Sequence, residues 1–345
     1  MATWIFVGVA MLIIQVLLGG VTRLTGSGLS ITQWDVITGV IPPMTESQWV
    51  LEFSKYQQSP QFHYLNFHFS ISDFKFIFFW EWFHRLWARL IGLVFLIGFF
   101  WLLKKKHLKK EMIKPLLILF LLGAVQGAVG WIMVASGLTG DAIYVRPTKL
   151  TLHFIFAMVL VVAAFWFGLK LIVHDKSKLQ NKTLSLLTNS MIFILTVQLI
   201  FGALMAGHKA ATAAPTWPDI NGSFFPESLF RINPWLMNFI ENTQMIHFVH
   251  RNLAYVLVVL TIGWTWHALK IKTSSSLLNK SIFYPVVLVS IQVLLGIAAL
   301  LTSVKIIPGH WAMFEWMAQL HQLVAMLYLL SLVLIAYLLN FKKNN

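Results

Sequence analysis

Polar residues interrupt this chain only at wide intervals, leaving eight apolar runs at about 4–22, 79–103, 115–136, 149–173, 186–206, 245–269, 282–302 and 315–340. A helix needs roughly 20 residues to cross the hydrocarbon layer of a bilayer, and each run meets that length. No water reaches the interior of the layer, so backbone N–H and C=O groups must pair within their own segment. The pattern therefore predicts eight transmembrane helices in an all-α integral membrane fold.

The opening MATWIFVGVAMLIIQVLLGG has neither the basic flank nor the small-residue cleavage site of a secretory signal, and it is expected to remain as a span. No Arg- and Ser-rich transit segment precedes it, which favours a bacterial chain or one already processed. Composition fits a polytopic protein: 58% hydrophobic, 14% aromatic and only 11% charged residues, with a mean hydropathy of +0.75.

Charge gives direction. KKKHLKKEMIK (104–114), KLIVHDKSKLQNK (170–182), KIKTSSSLLNK (270–280) and the tail KKNN hold 15 of the 26 Lys and Arg, with only Glu111 and Asp175 among the acids. Positive-inside sorting places these stretches and both termini on the cytoplasmic or matrix side. The net charge of +14 follows from that sorting and from attraction to anionic lipid, so no nucleic-acid partner is implied. Cysteine is absent, which excludes disulfides, thiolate metal sites and thioether-bound haem.

The chain also repeats itself. QVLLGGVTRLTGSGLSITQWDVITGVIPP from Gln15 and QLIFGALMAGHKAATAAPTWPDINGSFFP from Gln198 align at a fixed offset of 183. Gln15, Gly19, Trp34, Gly39 and Pro43 then meet Gln198, Gly202, Trp217, Gly222 and Pro226. The third and seventh runs add QGAVG from Gln126 and QVLLG from Gln292, so every odd-numbered run carries Gln-x-x-x-Gly. Such a stripe either lets helices approach closely or serves a cofactor directly.

Every even-numbered run carries a histidine four to seven residues inside its outer end: His84 in EWFHRLW, His153 in TLHFIFA, His250 in HFVHRNLAY and His321 in QLHQLVAM. The spacings are 69 residues from His84 to His153 and 71 from His250 to His321, so the two halves agree. The expected organisation is two pseudo-symmetric four-helix bundles, residues 1–175 and 176–345.

Alternating helix direction puts the four histidines at one depth near the outer face. Ionisable side chains inside a membrane are costly and mark function. Two facing imidazoles, without thiolates and with few carboxylates nearby, suit bis-histidine ligation of haem iron better than zinc or a hard cation. The remaining histidines lie in loops or at helix ends, apart from His247, three residues before His250.

GGVTRLTGSGLSITQWDVITGVIPP, EWFHR, WIMVASGL, TWPDINGSFFPE, FVHR and LHQ resemble, in order and spacing, the haem A synthases of the Cox15/CtaA family. The resemblance spans nearly the whole chain, and FKFIFFWEWFHR is similar to the mitochondrial and proteobacterial branch. The cysteine pair of some relatives is absent here, so its redox role does not apply. The resemblance implies conversion of the C8 methyl of haem O to a formyl group by successive hydroxylation, supplying haem A for terminal oxidase assembly. It implies His250 and His321 as ligands of a resident haem b, His84 and His153 as the substrate haem site, and Glu81 as the catalytic acid of the E-x-x-H motif. The expected setting is a bacterial inner membrane with the haem sites toward the outer face. The expected partners are haem O, a haem O synthase, an electron-transfer partner and membrane lipid; assembly of like chains is left open.

The residues themselves make the halves unequal. Glu81 and His84 stand at i and i+3 and so share a helix face. Aligned on the ligands, the second half has His247-x-x-His250-Arg251 where the first has Glu81-x-x-His84-Arg85. A carboxylate in that register could accept a proton or stabilise positive charge at an oxidised carbon. Its single occurrence places chemistry in the first half. His247 either replaces a hydrogen bond to the haem periphery or competes as a ligand. Arg85 and Arg251 are snorkelling interfacial cations or contacts to haem propionates. The aromatics of NFHFSISDFKFIFFWEWF form an interfacial belt or an entrance for a haem with an isoprenoid tail. Three classes stay in view on residue placement alone: a haem-modifying oxidoreductase, a di-haem cytochrome b that only passes electrons, and a repeat-built transporter.

Overall fold

The computed structural model describes residues 1–33, 38–174, 178–271, 275–307 and 309–339. Trp34 of the repeat, the expected boundary between halves at 175 and 176, Lys272 of the third basic stretch and the KKNN tail lie outside the described residues.

Regular structure among the described residues is helical, apart from one isolated bridge between Ile220 and Ser223. In order come α1 (Ala2–Leu24), α2 (Glu46–Gln57), α3 (Ile71–Lys104), α4 (Lys110–Ala135), α5 (Pro147–Ile172), α6 (Lys182–Gly207), α7 (Asn238–Glu241), α8 (Thr243–Leu269), α9 (Ser276–Ser281), α10 (Tyr284–Thr302) and α11 (Met313–Leu339). Eight spans are long and apolar enough to cross a membrane, the seventh being Ser276–Lys305, which joins α9, α10 and a short 3-10 turn. They match the eight apolar runs, with ends that differ by a few residues except at α3.

That helix begins eight residues before its apolar run, because a capping box starts it in the loop that precedes it. The Ser70 hydroxyl accepts from the Asp73 N–H at 3.3 Å, and the Asp73 carboxylate accepts from the Ser70 N–H at 2.9 Å. A second capping box, Thr45 with Gln48, starts α2 in the same loop. Between them the loop builds a small aromatic core: Tyr56 stacks on Phe74 at 5.3 Å, and Trp49 meets Phe78 edge-on at 5.1 Å. Phe74 and Phe78, read from the sequence as belt or entrance residues, are core of this cap, whereas Phe67, Phe76 and Phe79 are exposed.

The chain divides into two compact units. One comprises Met1–Val9, Met158–Ile306 and Ala312–Asn345; the other comprises Ala10–Ala157 and Ile307–Trp311. The first is built on α6, α8, α10 and α11, with α10 against α11, α6 against α8, and α6–α11 and α8–α10 contacts closing the bundle. The second holds most of α1, α3, α4, the N-terminal part of α5 and the aromatic cap.

Candidate functional site

In the first unit, α8 and α11 bring His250 and His321 together. Their ring centroids lie 6.3 Å apart with ring planes at 61°. Metal–imidazole bonds of about 2.0 Å on either side of one ion, together with the half-widths of two rings, also give roughly 6 Å. Each ring rests on a glycine of the preceding span. A Cβ on Gly202 of α6 would lie 3.2 Å from His250 Cε1, and one on Gly296 of α10 would lie 2.9 Å from His321 Cε1. His321 Nδ1 donates to the Gln292 carbonyl at 3.0 Å, which leaves the lone pair on Nε2. The Gln292 amide lies 3.2 Å from that nitrogen.

The second unit follows the same plan on α3 and α5. A Cβ on Gly19 would lie 3.4 Å from His84 Nε2, and one on Gly130 would lie 2.8 Å from His153 Cε1. Gln15 donates to the His84 carbonyl at 3.2 Å, and Gln126 places its amide 3.2 Å from His153 Nδ1 and 3.1 Å from the His153 carbonyl. His84 and His153 are close enough to interact electrostatically.

One turn before His84, Glu81 is 2% exposed and held on both oxygens. Oε2 accepts from the Ser30 hydroxyl at 2.7 Å and the Ile31 N–H at 2.9 Å; Oε1 accepts from Arg85 at 2.5 Å. Ser30 and Ile31 belong to the TRLTGSGLSI stretch, so the Gly- and Ser-rich loop is fastened to the helix that carries both Glu81 and His84.

His247, in the register of Glu81, is fully buried, whereas His84, His153, His250 and His321 all keep part of their surface. Its Nε2–H donates to the Ala210 carbonyl at 2.6 Å, and its Nδ1 lies 3.4 Å from an Arg251 nitrogen. Both ring nitrogens are thus engaged, and the side chain fastens a loop: where Glu81 accepts from one loop, His247 donates to the other. Arg251 donates to the carbonyls of Thr216 (2.9 Å), Asp219 (2.6 Å) and Ala214 (2.6 Å). Arg85 reaches the Ile31 carbonyl at 3.5 Å, and Ile31 and Ala214 are themselves 183 positions apart, the offset of the repeat. The two arginines, expected as propionate contacts, direct these donors to Glu81 and to loop backbone.

The residues fit a haem in each unit. Imidazoles occur in pairs, and no cluster of three or more His, Asp or Glu that would hold a bare ion occurs among the described residues. The side-chain oxygens of Gln15, Gln126, Gln198 and Gln292, one beside each histidine, are buried without a hydrogen-bond partner. Sequence reasoning missed three things here: the role of Ser30 and Ile31, the facing of each Gln-x-x-x-Gly onto a histidine, and a second buried acid. Glu315, 4% exposed, accepts from the Ala312 N–H at 2.8 Å at the start of α11. Similar Gln-to-His spacings, 27 residues in Gln126–His153 and 29 in Gln292–His321, were the available signal for the second.

Eight apolar helices among the described residues, and the part-buried imidazoles of His250 and His321 facing each other within them, define the class: a polytopic membrane protein with paired histidines inside a helix bundle. The chain belongs to the COX15-CtaA family, described as cytochrome oxidase assembly protein, whose model matches residues 2–333. It is similar to proteins named heme A synthase: one from Methylobacterium radiotolerans is 40% identical over 332 residues, covering 94% of this chain and 86% of the relative. Those from Brucella suis and Brucella ovis are each 39% identical over 308 residues, covering 89% of this chain and 85% of the relative.

Proposed function

We propose that this chain is a haem A synthase, an oxidoreductase acting on a CH group, which oxidises the C8 methyl of haem O to a formyl group by successive hydroxylation. Kinship with the heme A synthases supports the reaction class. The observation that carries the assignment of chemistry to one half is Glu81: a buried carboxylate on the same turn as His84, with no counterpart in the register of His247.

On this reading the chain consists of two pseudo-symmetric halves, 1–175 and 176–345. His84 and His153 would hold the substrate haem O, and His250 and His321 would hold haem b through its iron. Bound there, haem b supplies a one-electron centre. Glu81, fixed by Ser30, Ile31 and Arg85, presents negative charge at the substrate edge, where positive charge develops on the carbon being oxidised. Its two oxygens are already hydrogen-bonded, so its part is electrostatic placement of charge before that of a mobile proton carrier. The guanidinium of Arg85 pairs with the carboxylate and aligns it. Haem O comes from the enzyme that makes it; water supplies the inserted oxygen, the electrons removed pass to an electron-transfer partner and the protons are released to solvent. The protein lies in the bacterial inner membrane with both termini cytoplasmic and both haem sites toward the outer face.

The test is extraction and mass analysis of haems from membranes that express the chain beside a source of haem O. Haem A or its hydroxylated precursor is expected with the wild type and not with Glu81→Gln. A chain that binds two haems of equal status and leaves haem O unmodified is instead a di-haem cytochrome b, and that result sinks the proposal.

A further inference from the structure

The Gln-x-x-x-Gly stripes have a narrower task than close helix packing. Several glycines elsewhere in the spans, among them Gly123 and Gly127 of α4 and Gly263 of α8, have nothing within 4 Å of a built Cβ, and Gly168 of α5 meets Phe6 at 3.0 Å and no imidazole. The glycine that ends each stripe has an imidazole against it, in all four cases a candidate ligand: His84, His153, His250 or His321. Contact is tightest at Gly130 and Gly296, where the built Cβ lies 2.8 and 2.9 Å from a ring carbon. Carbon atoms in good contact sit about 3.5–4.0 Å apart, so alanine at either position would drive its ring away by about half an ångström or more. Beside Gly296, the Gln292 carbonyl takes the Nδ1–H of His321 and so selects the nitrogen left to bind iron.

We infer that Gly130 and Gly296 are positioning residues: each seats the ring of the histidine on the following span in the orientation that iron ligation requires, while the glutamine one turn away fixes the ring's hydrogen bonding. The inference rests on the haem reading under Proposed function and adds a requirement to it. A ligand orientation is set by the backbone surface of the neighbouring helix, which only glycine leaves bare. The stripe therefore recurs once per histidine.

The experiment uses the full chain, purified in detergent and titrated with haem b (iron protoporphyrin IX), read by visible absorption and by the low-spin EPR signal. Gly296→Ala is expected to bind haem b at least tenfold more weakly, with the low-spin signal displaced. Gly263→Ala, the same change at an open position, is expected to match the wild type. A second background separates displacement of the ring from damage to the fold: His321→Gly with added imidazole, where an untethered ring can adjust. There, adding Gly296→Ala should change neither the imidazole affinity nor the restored low-spin signal. Wild-type behaviour in Gly296→Ala, equal damage in Gly263→Ala, or failure of the double variant to take up imidazole each overturns the inference. A wild-type chain that binds no histidine-ligated haem overturns the haem reading itself, and this inference with it.

Discussion

Arg85 donates to Glu81 across a single turn of α3 at 2.5 Å, and both side chains are withdrawn from solvent, 13% and 3% exposed. Burying an ion pair is rarely a gain in stability by itself, but removing one member leaves the other charge without compensation. This pair, extended through Ser30 and Ile31, joins the loop between α1 and α2 to the turn that carries His84.

Glu81→Ala should therefore lose more than activity. A drop of about 3–5 kcal/mol in stability is expected from the stranded guanidinium and the two freed loop donors. Glu81→Gln keeps the shape and some of the hydrogen bonds, so it should fold and bind haem while giving no haem A. Thermal unfolding in detergent, run beside haem extraction, separates the two effects; equal haem A from Glu81→Gln and the wild type would remove Glu81 from the reaction.

Replacing His250 or His321 by alanine should abolish the stable low-spin haem b spectrum. Replacing His84 or His153 should leave that spectrum in place and stop turnover of haem O. Spectra of the four purified variants check this, and loss of haem b from the His84 variant would reverse the assignment of halves.

Arg251→Lys should loosen the loop between α6 and α7. A planar guanidinium reaches three carbonyls of that loop at once, which a lysine ammonium on a single stem cannot match. A loss of roughly 2 kcal/mol is expected from one or two charged hydrogen bonds, seen as faster proteolysis within residues 210–226. Unchanged cleavage kinetics would mean that the loop is held elsewhere.

Tyr56 gives the cap a pH signature. Its side chain is fully buried, its hydroxyl donates to Gln61 at 3.0 Å and accepts from Asn66 at 2.7 Å, and burial pushes its pKa up from 10.0 to about 12. The unfolded chain releases this proton first, so the contribution is complete below pH 10.0 and declines as pH rises toward about 12. Tyr56→Phe should be less stable than the wild type at neutral pH by about 1–3 kcal/mol, with the gap closing above pH 10.0. A gap that stays constant across that range would assign the loss to packing alone.

Asp219 behaves with the opposite sign. The Thr216 hydroxyl, and then the Gly222 N–H, hold its carboxyl below the usual range at an exposed turn. The turn's order should persist above the ordinary carboxylate range and fall away as pH drops through the lowered value.

Periodicity and charge determined the eight spans by themselves, because a bilayer admits a backbone only when its polar groups are satisfied within one segment, and twenty apolar residues have few other uses. The ligand candidates were legible too, since His84, His153, His250 and His321 fall near one end of successive even-numbered apolar runs at repeating intervals. Tertiary structure decided what surrounds them. That Glu81 is held by Ser30 and Ile31, 51 and 50 positions away, depends on how a loop folds back, and no local pattern records it. From sequence His247 could be read as a haem-facing group and Arg251 as a propionate contact or an interfacial cation; their engagement with the Ala210 to Asp219 loop follows from backbone carbonyls, which every residue carries and no sequence distinguishes. The same holds for Gly296: its place in the stripe is written in the chain, but an imidazole 2.9 Å from its missing Cβ exists only once α10 and α11 pack.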